Sequence, residues 1–223
     1  PQPDLGTDTI LCDGGSTLLN TVGVDVTYSW STGSIEESII VDQEGVYWVE
    51  LNNNGCTAQD SINVGFYPPL TVGIAGTDIL CAEDCNGTTQ TNPSGGSGGG
   101  YVFDWDSGQT LPALIDLCAN SYLVTVTDDA GCTGSAGITI QEPLPLEMLI
   151  TKRDVECPYE NDGAIEVTTV SGGVPVYLYS FDNEPFTEVN GIANLAGSDV
   201  IVQVMDQAVQ GATIISIAIQ TNH

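Results

Sequence analysis

A hydrophobic period of two recurs at three places in this chain: Tyr47-Trp48-Val49-Glu50-Leu51, Tyr122-Leu123-Val124-Thr125-Val126 and Val200-Ile201-Val202-Gln203-Val204. That period puts successive side chains on opposite faces, so each stretch predicts a β-strand with one buried face. Tyr47, Val49 and Leu51 then point into one core, Tyr122, Val124 and Val126 into a second, and Val200, Val202 and Val204 into a third. No stretch carries apolar residues at i, i+3, i+4 and i+7 for long enough to predict an amphipathic helix. The 26 Gly and 11 Pro interrupt the chain every few residues, and Val, Ile, Thr and Tyr fill the intervals. The expected fold class is all-β.

The strands belong to a repeated unit. Ile79-Leu80-Cys81-Ala82-Glu83-Asp84-Cys85-Asn86-Gly87 returns as Asp154-Val155-Glu156-Cys157-Pro158-Tyr159-Glu160-Asn161-Asp162-Gly163, and in shorter form as Ile10-Leu11-Cys12-Asp13-Gly14. An aromatic strand follows each: Tyr28-Ser29-Trp30, Tyr101-Val102-Phe103-Asp104-Trp105 and Tyr177-Leu178-Tyr179-Ser180-Phe181. The alternating strand comes next. A turn ending in Gly55-Cys56 or Gly131-Cys132 then leads the first two copies into a closing strand. Pro68-Pro69 and Pro143-Leu144-Pro145 fall between copies, where stiff linkers are expected. We therefore divide the chain into 1–67, 68–143 and 144–223, three tandem domains of roughly 70 residues. Short strands with turn signals every 8–12 residues or so predict Ig-like or PKD-like β-sandwiches. Trp30, Trp105 and Phe181 are expected at their centres. Trp48, Leu123 and Ile201 alternate out of phase with the cores. They form either a second half-buried face or a surface where subunits or neighbouring domains meet.

Seven cysteines divide 2, 4 and 1 among the copies. Domains this small bury little apolar area, so cross-links matter to them. Paired within copies, Cys12 joins Cys56, a long loop worth on the order of 3–4 kcal/mol. Equivalence then favours Cys81–Cys132 with Cys85–Cys118 over the two other pairings in copy two. Cys157 is left over, as a small buried hydrophobe or as a partner for another chain. Disulfides place the protein outside the reducing cytoplasm. The chain opens at Pro1-Gln2 without a basic and apolar leader, so a signal peptide is expected to be removed or to lie outside it.

Charge removes whole classes of function. Thirty acidic and two basic residues give a formal net charge of −28, which disfavours nucleic acid and anionic lipid as partners. No apolar run approaches the ~18 residues of a membrane span. The lone histidine is His223, leaving triads and His-based metal centres without material, so no enzyme and no transition-metal site is expected. Acidic side chains gather at turns, as in Glu83-Asp84, Asp128-Asp129, and Glu156 with Glu160 and Asp162. These form either a solvated anionic surface or calcium sites that stiffen linkers, and the missing EF-hand pattern favours the surface. Ser94-Gly95-Gly96-Ser97-Gly98-Gly99-Gly100 lacks the helix and lysine of a phosphate cradle and reads as a flexible loop.

The order of these motifs carries a family likeness. Cys81-x3-Cys85-Asn86-Gly87, the Gly-rich stretch before Tyr101-Val102-Phe103-Asp104-Trp105, Leu117-Cys118-Ala119 and Tyr122-x-Val124-x-Val126-x-Asp128-Asp129-Ala130-Gly131-Cys132 resemble the SprB-type repeat of Bacteroidetes gliding-motility adhesins. Copy three is similar in Cys157, Asn161-Asp162-Gly163, Gly172-Gly173-Val174-Pro175-Val176-Tyr177, Asn194-Leu195-Ala196-Gly197 and Asp206. It departs from the pattern in lacking the later cysteines and in placing Val200 where the family has tyrosine. Copy one resembles the Ig/PKD-like modules found beside such repeats. The likeness implies secretion by the type IX route and a role in adhesion or as a stalk, with no catalytic residues to carry over. Asp8-Thr9-Ile10 and Asp60-Ser61-Ile62 also resemble the O-glycan acceptor of exported Bacteroidetes proteins, and Asn86-Gly87-Thr88 fits the N-glycan sequon. Thr9, Ser61 and Asn86 are thus candidate glycosylation positions.

The expected function is a non-enzymatic extracellular segment of a surface adhesin or filament. Its expected partners are further copies of itself or a cell-surface ligand. The alternative is a recognition module dependent on carbohydrate or calcium.

Overall fold

The computed structural model describes residues 2–156, 161–196 and 199–206, and the backbone of one further strand at 215–220. Eighteen strands and no helix occupy the described residues. They are β1 (Thr9–Leu11), β2 (Thr17–Asn20), β3 (Thr27–Trp30), β4 (Ser38–Val41), β5 (Gly45–Asn53), β6 (Cys56–Phe66), β7 (Thr71–Thr77), β8 (Gly87–Ser94) and β9 (Val102–Trp105). Then come β10 (Ala113–Leu117), β11 (Asn120–Thr127), β12 (Thr133–Ile140), β13 (Glu147–Arg153), β14 (Gly163–Ser171), β15 (Tyr177–Phe181), β16 (Gly191–Leu195), β17 (Asp199–Asp206) and β18 (Ile215–Gln220).

Sheet order repeats along the chain. The first set is β1-β6-β5-β3 with β2-β4, the second β10-β8-β7 with β12-β11-β9, and the third β13-β14-β16 with β15-β17-β18. Each set is the pair of sheets of an Ig-like sandwich, so the protein is all-β and built of tandem Ig-like sandwiches. One strand differs. β7 and β13 lie beside β8 and β14, whereas β1 joins β6 in parallel, with Thr9 opposite Val64 and Leu11 opposite Phe66.

The chain divides into two compact units. One comprises Pro1–Ile74, Thr91–Pro112 and Leu123–Gly137, and the other Ala75–Gln90, Ala113–Tyr122 and Ile138–His223. In the first unit, Leu19, Trp30, Val41, Val49, Leu51, Ile62 and Val64 make a closed apolar cluster. Phe103, Trp105, Val124 and Val126 are buried in the same unit. In the second unit, the cluster is Leu146, Ile165, Val167, Phe181, Leu195, Val200, Val202 and Val204, and Ile79, Leu114, Leu117, Tyr122 and Ile140 are buried as well.

One register recurs three times. Trp30 stands opposite Val49 and Tyr28 opposite Leu51. Trp105 faces Val124 and Phe103 faces Val126, while Phe181 faces Val202 and Tyr179 faces Val204. The central valine is fully buried each time, because a slip by one residue would turn the whole apolar set outward. Both tryptophans also satisfy their indole N–H in the loop that follows. Trp30 Nε1 donates to the Glu36 carbonyl at 2.7 Å and Trp105 Nε1 to that of Leu111 at 2.9 Å. The Tyr47 hydroxyl donates to the Gln43 carbonyl and the Tyr122 hydroxyl to that of Cys118. Val200 takes this place in the third copy and is fully buried without needing a partner.

Truncation at the centre should therefore be costly. Trp105→Ala is expected to remove about 3–5 kcal/mol of stability. Trp105→Phe keeps most of the ring but deserts the Leu111 carbonyl, for a loss of about 1–2 kcal/mol. Urea unfolding of the two variants against the parent chain measures both.

Candidate functional site

The motif residues gather at the start of the second and third copies, where each linker meets the sandwich that follows. In the second copy Gly95 and Gly96 adopt φ of +90° and +61°, a left-handed turn that residues with a Cβ resist. The turn lies against the linker: the Gly96 amide donates to the Pro68 carbonyl at 3.0 Å, and a Cβ on Gly95 would overlap the Pro69 carbonyl oxygen. The Tyr101 hydroxyl donates to the Gly95 carbonyl at 3.0 Å. Asp128, one residue past β11, closes the arrangement. Its carboxylate accepts the amides of Ser97 at 2.6 Å, Cys132 at 2.8 Å and Ala130 at 2.9 Å.

The third copy repeats the device. Gly172 and Gly173 have φ of +76° and +57°, and the Gly173 amide donates to the Leu144 carbonyl at 2.7 Å. The Tyr177 hydroxyl donates to the Gly172 carbonyl. The Val174 amide donates to the Asp206 carboxylate at 3.0 Å. Two expectations are corrected here. Ser94–Gly100 is a hydrogen-bonded turn and not a flexible loop, because Pro68, Asp128 and Tyr101 all hold it. Asp128 is not part of a solvated acidic surface, being only 5% exposed. The repetition of an aspartate two residues past the alternating stretch in the second and third copies, with Gly-Gly upstream, is the signal that would have revealed it.

Amide donation also sets the charge state. The Ser97 backbone N–H, with smaller help from those of Cys132 and Ala130, holds the Asp128 carboxyl below the ordinary value of 3.8, against the opposing effect of desolvation. Hydrogen bonds to the ionised form favour that form.

Beside this clamp lies a disulfide that pairing within copies missed. Cys12 is joined to Cys132, 120 residues away, with Cα atoms 5.3 Å apart. A groove of about 260 Å³ surrounds it, lined by Asp13, Pro69, Leu70, Gly131 and Thr133. The expected Cys12–Cys56 bond is excluded by strand geometry. Leu11 lies opposite Phe66 at the end of β6, whereas Cys56 begins that strand. Ten residues at ~3.3 Å separate the two positions, far beyond the ~7 Å limit for Cα atoms across a disulfide. The expected Cys81–Cys132 bond fails with it, since Cys12 already takes the Cys132 sulfur. Cys81 is buried, in the segment whose Ile79 amide donates to the Gln141 carbonyl. Cys85 and Cys118 are joined to each other. Cys56 is exposed and carries a thiol. Cys157 lies outside the described residues.

The remaining candidates sit singly. Trp48, Leu123 and Ile201 occupy one equivalent position: their carbonyls accept the amides of Ser31, Asp106 and Asp182 respectively. Trp48 and Ile201 are half-buried and Leu123 is exposed. Ser61 is exposed and directly opposite Trp48 on the neighbouring strand. Thr9 is half-buried in β1, and Asn86 is exposed. The aspartates preceding Thr9 and Ser61 have structural partners. Asp8 accepts the Asn63 amide and Asp60 that of Leu5. Among the described residues, no three His, Cys, Asp or Glu side chains cluster closely enough to hold a metal ion.

Comparison with known proteins agrees with this architecture. Residues 149–186 match the SprB repeat family. No curated protein matches the sequence. The crystal structure of the eight N-terminal Ig domains of Down syndrome cell adhesion molecule aligns over 98% of this chain, at a TM-score of 0.51 and 10% identity. This chain spans 36% of that fragment. A three-Ig fragment of titin (11% identity, TM-score 0.39) aligns over 95% of this chain and 94% of its own. The three N-terminal domains of the bacteriophage RB49 outer capsid protein Hoc (11%, 0.39) align over 95% and 93%. At such identities the first alignment shows the fold alone, and the two lower scores carry no weight. The segment 149–186 is therefore similar to the SprB repeat, within a chain of Ig-like fold.

Asp128 predicts a pH dependence. Its pKa is lowered in the folded chain, so its contribution is complete above the unfolded value of 3.8 and is lost as pH falls through the lower folded value. Asp128→Asn should lower the melting temperature at neutral pH, and the gap from the parent should close on acidification. Thermal melts from about pH 2 to pH 7 measure it, and a gap that persists at the acid end would rule out the carboxylate.

Proposed function

We propose that this chain is a non-enzymatic, extracellular structural segment of a bacterial surface adhesin, exported by the type IX route. The observation that carries the reading is where the motif residues are used. Gly95, Gly96, Tyr101 and Asp128, with Gly172, Gly173, Tyr177 and Asp206, hold linkers against sandwiches, and Cys12–Cys132 ties the first strand to the hairpin after β11. Such an arrangement fixes joints. Disulfides suit an oxidising exterior, and the SprB repeat at 149–186 agrees with a surface-protein setting. The net charge of −28 keeps neighbouring segments soluble and mutually repelling unless cations screen them.

Trp48, Leu123 and Ile201 are the positions we assign to contact with further copies or with a cell-surface ligand. Thr9, Ser61 and Asn86 are the positions we assign to glycans.

Force spectroscopy on the chain held by its two ends tests the mechanical role. Tension entering at the N-terminal end passes from Cys12 through sulfur to Cys132, so the enclosed residues carry none of it. The disulfide spans 120 residues, which at ~3.5 Å each store about 40 nm of length. Reduction should add that length to the full extension, and Cys12→Ser about 30 nm of it, because Cys85–Cys118 still closes off 33 residues. Equal extension with and without reductant would overturn the load path.

A further inference from the structure

The first copy carries a hairpin cysteine at the position where the second copy makes its joint. Cys56 opens β6 after Gly55 at φ +94°, as Cys132 precedes β12 after Gly131 at φ +83°. Each follows the alternating strand of its own copy. Cys132 is joined to the cysteine just past the first strand of the copy before it. Cys56 is exposed and carries a thiol, in a chain whose matching cysteine is cross-linked.

The surroundings of Cys56 are those of a joint as well. Cys56 stands opposite Asn53, and the Asn53 side chain donates to the Val24 carbonyl in the loop between β2 and β3. That loop matches the one in the second copy that grips Pro68 and Pro69. Here it presents Val22 and Val24 at 77% and 84% exposure. Asp4, whose amide donates to the Thr21 hydroxyl, and the buried Pro3 hold the place that the linker holds in the next copy. A bare apolar loop beside an accessible thiol fits the end of another sandwich.

We propose that Cys56 is a joint cysteine, bonding to the cysteine that follows the first strand of another module of this kind, as Cys132 bonds to Cys12. The partner chemistry is a thiol on a further Ig-like or SprB-type module outside residues 1–223, since Cys12 of a second copy is already bonded to Cys132. The bond forms by thiol–disulfide exchange with a disulfide oxidant such as a periplasmic dithiol oxidase or oxidised glutathione. The Cys56 thiolate attacks the oxidant's disulfide and releases one thiol. The partner thiolate then attacks the Cys56 sulfur of the mixed disulfide and releases the second. Two cysteine thiols become one disulfide, and the two hydrogens and two electrons reduce the oxidant to two thiols.

This inference goes beyond the mechanical role above, and its test reads a different bond from the one that the stretching experiment loads. Native material is alkylated before extraction, digested without reductant and mapped by mass spectrometry. The expected result is a Cys56 peptide disulfide-linked to a cysteine peptide from another module, alongside Cys12–Cys132. The mass of the linked peptide, and a non-reducing gel, tell sequence outside this chain from a second copy, and linkage to a second copy would overturn the proposal. Cys56→Ser is expected to keep the parent melting temperature and the Cys12–Cys132 peptide while losing the linked species completely. Recovery of Cys56 as an alkylated thiol, capped by a small thiol, or bonded within its own chain would overturn the proposal.

Discussion

A buried carboxylate must be surrounded by donors, and that demand organises the joint in this protein. Asp128 gathers the amides of Ser97, Ala130 and Cys132. One side chain thereby fixes both the hairpin that follows β11 and the Gly-Gly turn that receives the linker. Its burial is tolerable because each amide that it accepts would otherwise need a partner of its own. Only glycine fits the turn, since a Cβ at Gly96 would run into the Asp128 carboxylate. Aspartate, glycine pair and tyrosine therefore act together, and in the third copy they recur as Asp206, Gly172, Gly173 and Tyr177.

Linkers held against their sandwiches matter because the sandwiches themselves are small. Each relies on a short list of buried residues, such as Trp30 with Val49 and Leu51, or Phe181 with Val200, Val202 and Val204. Small cores leave slender margins, and added covalent links offset them. Cys85–Cys118 closes a short loop within one copy. Cys12–Cys132 acts between copies, so what happens at the linker bears on both.

The parts of the fold set by local pattern could be read directly. Alternation identified Val49, Val124 and Val202, and the aromatic strand before each identified Trp30, Trp105 and Phe181. The exposed or half-exposed positions of Trp48, Leu123 and Ile201 followed from the same period. What depends on chain pairing over long distances was hidden. Counting cysteines copy by copy assumes that each copy closes on itself, yet β1 crosses to pair in parallel with β6 and so carries Cys12 to the end of the sandwich farthest from Cys56. The acidic turns were opaque for a related reason. Composition treats Asp128 and Asp129 alike, and only the fold shows that one is enclosed by amides.

In the extracellular setting proposed above, where proteases act, Cys12–Cys132 has a further consequence. A single cut at any peptide bond from Cys12 to Cys132, whether in the Asn54-Gly55 turn or in the glycine-rich segment before Tyr101, leaves two fragments that each keep one half of the cystine. The severed chain stays one covalent molecule, so a nick there is survivable until a reductant arrives.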